Sequence, residues 1–328
     1  MKTVGQVELS VLDLVTYPEG GTIPEAIAHS RALAQRCEAL GYKRYWVAEH
    51  HNLDGIASSA TVVLIGHLAG ATSTIRVGSG GIMMPNHAPL VVAEQIGTLD
   101  AIYPGRIDLG LGRAPGTDPQ TMRALRRGNR EDDFGVLIEE LEGYFAPARE
   151  GQAVKAIPGA GTDVPIYILG SSLYSAHLAA RLGRPYAFAS HFAPGELLEA
   201  LKIYRAEFQP SRHLDRPYVI VGVPAMAAPT DEEADFLATS MIQRSLAIMK
   251  GQRRPIPPPV RDLAMAPMER AAVAERMALF CVGSPARIRD GFRQILEATD
   301  ADELILVSDA YRFEDRVRSY ELLMEAKG

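Results

Sequence analysis

A chain of 328 residues, 47% of them hydrophobic, can bury one large core and reads as a single domain over 1–328. Its 34 basic and 40 acidic residues leave a formal charge of −6, and an isoelectric point near 5.8 offers no electrostatic footprint for a nucleic-acid backbone. With only Cys37 and Cys281, no basic-then-apolar leader and no apolar run near the roughly 20 residues that span a bilayer, the composition fits a reducing cytoplasm and excludes a membrane partner.

Residues 7–12 alternate apolar and polar side chains before filling in, as a first strand does. Thr22 with Glu25 three residues on makes a capping box, and Ile27, Leu33, Ala34, Cys37 and Leu40 carry a helix face to Gly41. Strand two is expected over 44–48, running into Glu49-His50-His51, with a helix over 57–71 behind it. Gly66 and Gly70 would let another helix approach closely, either from this chain's own barrel or from a second copy. Strand three lies within 75–84 and ends at Pro85-Asn86-His87; Gly78, Gly80 and Gly81 leave backbone on which something flat could rest. A helix over 90–102 and strand four over 107–111 follow.

Regularity breaks across 113–132, which carries Pro115, Gly116, Pro119 and the basic cluster Arg123, Arg126, Arg127, readable as a solvated face or a ligand site. A helix is expected over 133–145, strand five over 165–169 before Gly170-Ser171-Ser172, and strand six over 186–189 before Ser190-His191-Phe192. A helix over 194–208 and strand seven over 218–225 come next. Residues 250–267 contain Pro255, Pro257, Pro258 and Pro259, cannot form a regular helix, and read as a lid or an arm. Gly283-Ser284-Pro285 opens a helix to about 298, strand eight is 303–307, and a helix over 313–325 closes the chain. This alternation predicts an α/β fold, a (β/α)8 TIM barrel with insertions after strands four and seven.

Polar, basic or glycine-rich residues recur at the C-terminal ends of these strands, the face on which such barrels carry their sites. Glu49-His50-His51 is a poor metal set, because adjacent strand residues point to opposite faces; one histidine acting as general acid or base, oriented by a carboxylate, fits better and singles out His50 and Glu49. Gly110-Leu111-Gly112-Arg113-Ala114-Pro115-Gly116 is a weak dinucleotide fingerprint, its third glycine one residue late. Arg113 just past a strand can instead grip a phosphate, and Gly170-Ser171-Ser172 sets hydroxyls and free amides at a helix start. A phosphate monoester on a flat ring near Gly80-Gly81 uses all three segments.

The ordered series Tyr45-Trp46-Val47-Ala48-Glu49-His50-His51-Asn52, Val77-Gly78-Ser79-Gly80-Gly81-Ile82-Met83-Met84-Pro85-Asn86-His87, Gly105-Arg106-Ile107-Asp108-Leu109-Gly110-Leu111-Gly112-Arg113 and Val282-Gly283-Ser284-Pro285 resembles the bacterial luciferase-like, flavin-dependent monooxygenases, within them the shorter luciferase-like oxidoreductases. The resemblance runs from Leu9 to about Leu323. It implies an eight-stranded barrel and noncovalent FMN whose reduced form reacts with O2, giving a flavin hydroperoxide that oxidises a small organic substrate. By position it makes His50 the catalytic histidine, Gly80-Gly81 a non-prolyl cis peptide beneath the ring, and Arg113 a phosphate ligand with Ser172 and Ser175 nearby. Met83, Gly170 and Ser171 complete the expected cofactor set, and His51, His87 and His191 are candidate substrate contacts. Gly112 stands where luciferase itself has a reactive cysteine, a departure that weighs against light emission and a long-chain aldehyde substrate but not against the oxygenase assignment. The lack of a convincing nicotinamide fingerprint implies a separate flavin reductase as partner, and a homodimer is expected. Competing readings are a flavin-binding protein without turnover and a metal-dependent barrel hydrolase.

Overall fold

The computed structural model describes residues 2–114, 116–125 and 133–328. The strands in chain order are β1 (Glu8–Asp13), β2 (Arg44–Val47), β3 (Arg76–Met83), β4 (Ile107–Gly112), β5 (Ile166–Gly170), β6 (Tyr186–Phe188), β7 (Val219–Ala227), β8 (Cys281–Gly283) and β9 (Glu303–Val307). All but β8 form one parallel ring: β1 to β7 pair in succession, β7 pairs with β9, and β9 returns to β1. This is the closed (β/α)8 barrel, and closure leaves no strand edge exposed.

Period-two alternation divides the strand side chains into two layers. Val11, Tyr45, Val47, Val77 and Leu109 face outward and join the large apolar layer beneath the helices. Leu12, Trp46, Tyr167, Ala187, Ile220 and Ile305 face inward and form a smaller cluster within the ring. Below that cluster, near the strands' N-terminal ends, Arg44 donates to Asp108 Oδ2 at 2.7 Å and to the Tyr167 hydroxyl at 2.6 Å, and its Nε lies 2.8 Å from Glu303 Oε1. Trp46 Nε1 and Arg76 Nε bond the same Asp108 carboxylate at 3.1 and 2.8 Å, so the ring is plugged by charge rather than open.

The helices follow their sequence signals. Thr22 and Glu25 form the capping box of α1 (Ile23–Leu40), which stops at Gly41 with φ 83°. Helix α2 (Thr61–Ala69) starts later than expected because Ala57 N–H bonds Val15 O and Thr61 Oγ1 bonds Ala48 O, tying the preceding loop to the barrel mouth. A Cβ on Gly66 or Gly70 would stand 3.2 Å from Leu99 Cδ2 or 2.8 Å from the Tyr103 hydroxyl, so both glycines serve packing against the chain's own α3 (Pro89–Ile102) and its end.

After β4 come α4 (Pro119–Ala124), capped by Asp118, and α5 (Phe134–Phe145), capped by Asp133; Pro115, Arg126 and Arg127 lie outside the described residues. Helices α6 (Leu173–Arg181) and α7 (Leu197–Glu207) follow β5 and β6. Between β7 and β9 lie α8 (Asp231–Met249), α9 (Pro267–Arg276), β8 and α10 (Pro285–Thr299), and α11 (Phe313–Lys327) ends the chain. Of these α4, α8, α9 and β8 are additions to the sequence reading. Strand β8 is three residues long and pairs only with β7, too short for alternation to register. The start of α9, Pro267 with Glu269 bonding Ala266 N–H at 2.9 Å, is hidden in the proline-rich run.

That run is fastened rather than loose. Ile256 is buried, its N–H bonds Tyr17 O at 3.1 Å and its carbonyl accepts from Glu19 N–H at 2.8 Å; Val260 N–H bonds Thr239 Oγ1 at 2.9 Å.

Candidate active site

Every strand of the ring sends at least one residue to a cavity of about 450 Å³ at the barrel's C-terminal mouth. Along β2 and its exit the lining residues are Trp46, Ala48 and His50, spaced by two, as inward-facing positions must be. The size suits an organic cofactor, and apolar walls with few polar groups are usual for such sites.

Its floor is the middle of β3. The Gly80–Gly81 peptide is cis, and the β3–β4 register shifts between Ser79 and Ile82. At this bulge the two strands approach closely: Ser79 Oγ donates to Gly110 O at 2.8 Å and accepts from Gly110 N–H at 3.0 Å, and a Cβ on Gly110 would lie 2.1 Å from Ser79 O. A Cβ on Gly80 would strike Leu12 Cδ1 at 2.5 Å. The glycines therefore serve strand packing first; Gly80 and Gly81 also line the cavity, while Gly78 faces Asp108 and does not.

One rim is cationic. β4 and β5 are neighbours, which brings Arg113 and Gly170-Ser171-Ser172 to the same edge. The Arg113 guanidinium lies 4.3 Å from the Tyr174 ring centroid, and the Tyr174 hydroxyl bonds Asp133 Oδ1 at 2.8 Å. Ser172 is the N-cap of α6 with its side chain making no capping bond, so the amides of that first turn remain available beside the guanidinium. Ser175 lines the same edge but is buried, and its hydroxyl donates to Ser172 O at 2.7 Å. Met83 borders the cavity beside Gly112.

The histidines separate into two groups. His50 and His191 line the cavity, each with a buried Nδ1 lacking a partner. Burial, with the Arg244 charge behind it, pushes His50 down to about 4. Burial, then the charges of His50 and Arg276, pushes His191 down to about 3. Both are neutral at ordinary pH, so neither can be a proton-donating imidazolium there.

His51 and His87 are absent from the cavity wall. Both Nε2 atoms lie 2.9 Å from Glu49 Oε1, and Met83 N–H bonds Glu49 Oε2 at 3.1 Å. Burial would raise the Glu49 carboxyl, but the bonds from His87, His51 and Met83 hold it below the usual carboxylate range. The expectation that Glu49 orients His50 is thereby corrected. Adjacent strand residues alternate faces, so Glu49 leaves the lumen and braces the β2 and β3 exits instead.

A second chamber of about 390 Å³ adjoins the first and shares Leu14, His50, His191 and Phe192 with it. It is roofed by the C-terminal half of α8, the end of α9 and residues 251–254. Sequence reasoning missed its arginines, Arg244 and Arg276, because they lie on helices it did not identify. It also missed Leu12, Trp46 and Ile305 in the first cavity, which inward parity along the strands would have supplied.

A family model described as luciferase-like monooxygenase matches residues 7–303. An Escherichia coli (strain K12) protein named luciferase-like monooxygenase is 47% identical over 325 residues, covering 98% of this chain and 97% of the relative. The N-acetyl-S-alkylcysteine monooxygenase of Bacillus subtilis is 31% identical over 334 residues, 98% of each. Among solved structures, that of apo-MsnO8 superposes with a TM-score of 0.88 at 37% identity, covering 99% of this chain and 98% of that one. A match running from the first strand to the last, on a barrel with its cavity at the strands' C-terminal ends, leaves one conclusion: the chain belongs to the luciferase-like monooxygenase family.

Proposed function

We propose that this enzyme is an FMN-dependent monooxygenase that uses reduced FMN and O2 to oxidise a small organic substrate. The observation that carries the reading is an apolar cavity with a cationic edge, where Arg113 and the uncapped start of α6 face a floor of Gly80-Gly81. The residues present fit the cofactor: Arg113, Ser171 and Ser172 would hold its phosphate, and the backbone at Gly80-Gly81 with Met83 would border its ring. Bound there, reduced FMN would supply the electrons that activate O2. His50, neutral and half-buried, is placed to accept a proton or to hold a substrate oxygen by a hydrogen bond. Phe192 and residues 251–254 cover the approach and limit water.

In this proposal a separate reductase delivers reduced FMN. A homodimer is part of the same proposal, and the molar mass in solution checks it.

The test supplies chemically reduced FMN and isotopically heavy O2 with candidate substrates, the relative's N-acetyl-S-alkylcysteine among them. The expected result is substrate-dependent incorporation of one labelled oxygen into product. His50→Ala should lower it by about 10²–10⁴-fold while FMN affinity holds. FMN binding without incorporation for any substrate would favour the flavin-binding reading instead.

A further inference from the structure

We propose that the second chamber is a carboxylate-binding substrate site in which Arg276 holds the acid group. Four arginines line it, Arg244, Arg253, Arg254 and Arg276, against the two carboxylates Asp54 and Asp309, a balance of 4 − 2 = +2. Most of this charge is already committed. Arg244 pairs with Asp309 Oδ2 at 3.0 Å, and Asp309 also lies 3.5 Å from Arg316. Arg253 bonds Asp118 Oδ2 at 3.0 Å and Asn52 O at 3.3 Å.

Arg276 differs from these. It sits in the last turn of α9, half-buried, with no hydrogen bond or ion pair to any of the described residues, and burial alone lowers its pKa. A guanidinium stays charged in proteins, so partial desolvation without a partner is a standing cost that a bound anion would offset. Its planar fork matches a carboxylate with two parallel bonds. Met241, Ile248 and Met277 are among the apolar part of the lining, and Arg254, the other cation there with no partner among the described residues, lies exposed at the edge. One desolvated guanidinium among apolar side chains suits a monoanion with a hydrocarbon body rather than a dianionic phosphate.

The shared wall gives the direction of binding. A molecule anchored at Arg276 passes His50 and His191 to reach the first cavity, so its oxidisable end lies toward Gly80-Gly81 and its acid group away from it. This orientation rests on the flavin reading above; the carboxylate site does not.

The experiment compares hexanoate with hexanamide, its uncharged counterpart, by calorimetric titration of the whole protein, and titrates FMN separately. Hexanoate should bind at least about tenfold more tightly, a difference of about 1.4 kcal/mol. Arg276→Gln should remove that preference and Arg276→Lys should restore part of it, with FMN affinity unchanged in both. Equal binding of acid and amide by the wild-type protein, or no binding of either, overturns the proposal without any reliance on a variant. So does a preference that survives Arg276→Gln, or a preference for hexanesulfonate over hexanoate. If the acid preference holds and FMN fails to bind, the carboxylate site stands and the flavin reading falls; the reverse result separates them the other way.

Discussion

His50 and His191 present unpartnered, buried Nδ1 atoms to the space between the chambers, and both are held neutral. This has a pH signature in stability. The unfolded chain takes up protons as pH falls below about 6.5, the ordinary value of a histidine, whereas the folded chain resists until about 4 at His50 and about 3 at His191. Stability therefore falls as pH drops through that window and is fully present above it. Urea midpoints measured across the window should decline with acidification, and His191→Gln should flatten the decline; an unchanged slope would mean His191 is protonated in the folded protein. Arg113 is tested by ligand instead. Loss of its charge-assisted bonds, each worth about 1.5–3 kcal/mol, should weaken FMN binding roughly tenfold to a hundredfold in Arg113→Ala. Unchanged affinity in a folded variant would remove Arg113 from the phosphate site.

Strands β3 and β4 meet so closely at the bulge that glycine is required at one position and merely convenient at another. A methyl at Gly110 would lie 2.1 Å from the Ser79 carbonyl oxygen, backbone that cannot swing aside. Gly110→Ala should cost about 3 kcal/mol or more in thermal or urea unfolding. A methyl at Gly112 would come nearest to the Met83 sulfur, at 3.2 Å, and a thioether adjusts easily. Gly112→Ala should cost less than about 1 kcal/mol, and comparable losses in the two variants would contradict the assignment. The stretch between α8 and α9 makes a different element-scale case. It is pinned at Ile256 and Val260, while Gly251–Arg254 borders the second chamber, so any lid motion is confined to its N-terminal part. Limited proteolysis at Arg253 and Arg254 should slow when reduced FMN and substrate are bound without oxygen. Identical rates with and without ligand would leave the stretch a static cover.

At the scale of the whole molecule, the ring is closed by hydrogen bonds around its circumference and by charge through its middle. Arg44 reaches from β2 to Asp108 on β4, Tyr167 on β5 and Glu303 on β9, so four strands depend on one buried network. Removing one member of a buried ion pair leaves its partner desolvated, at a cost of about 3–5 kcal/mol. Asp108→Ala takes one carboxylate from both Arg44, which keeps Glu303, and Arg76, and frees the Trp46 Nε1 donor beneath the cavity; it should approach the lower end of that range by urea unfolding. A loss below about 1 kcal/mol would show that water already screens the plug.

The sequence by itself determined the alternation of the eight ring strands with the helices between most of them, the capping box of α1, the barrel and the residues at its cationic edge, because each rests on local periodicity or on motifs whose parts lie a few residues apart. Parity along β2 even held the information that Glu49 and His50 face apart, though their adjacency suggested a pair. Only the tertiary structure decided what Glu49 holds, since His87 comes from another strand exit. It alone decided that two histidines distant in sequence share a wall, and that Arg276 has no partner among the described residues. The physical reason is the same in each case: burial and pairing belong to surfaces assembled from remote segments, and no local pattern encodes which charge another helix will fail to meet.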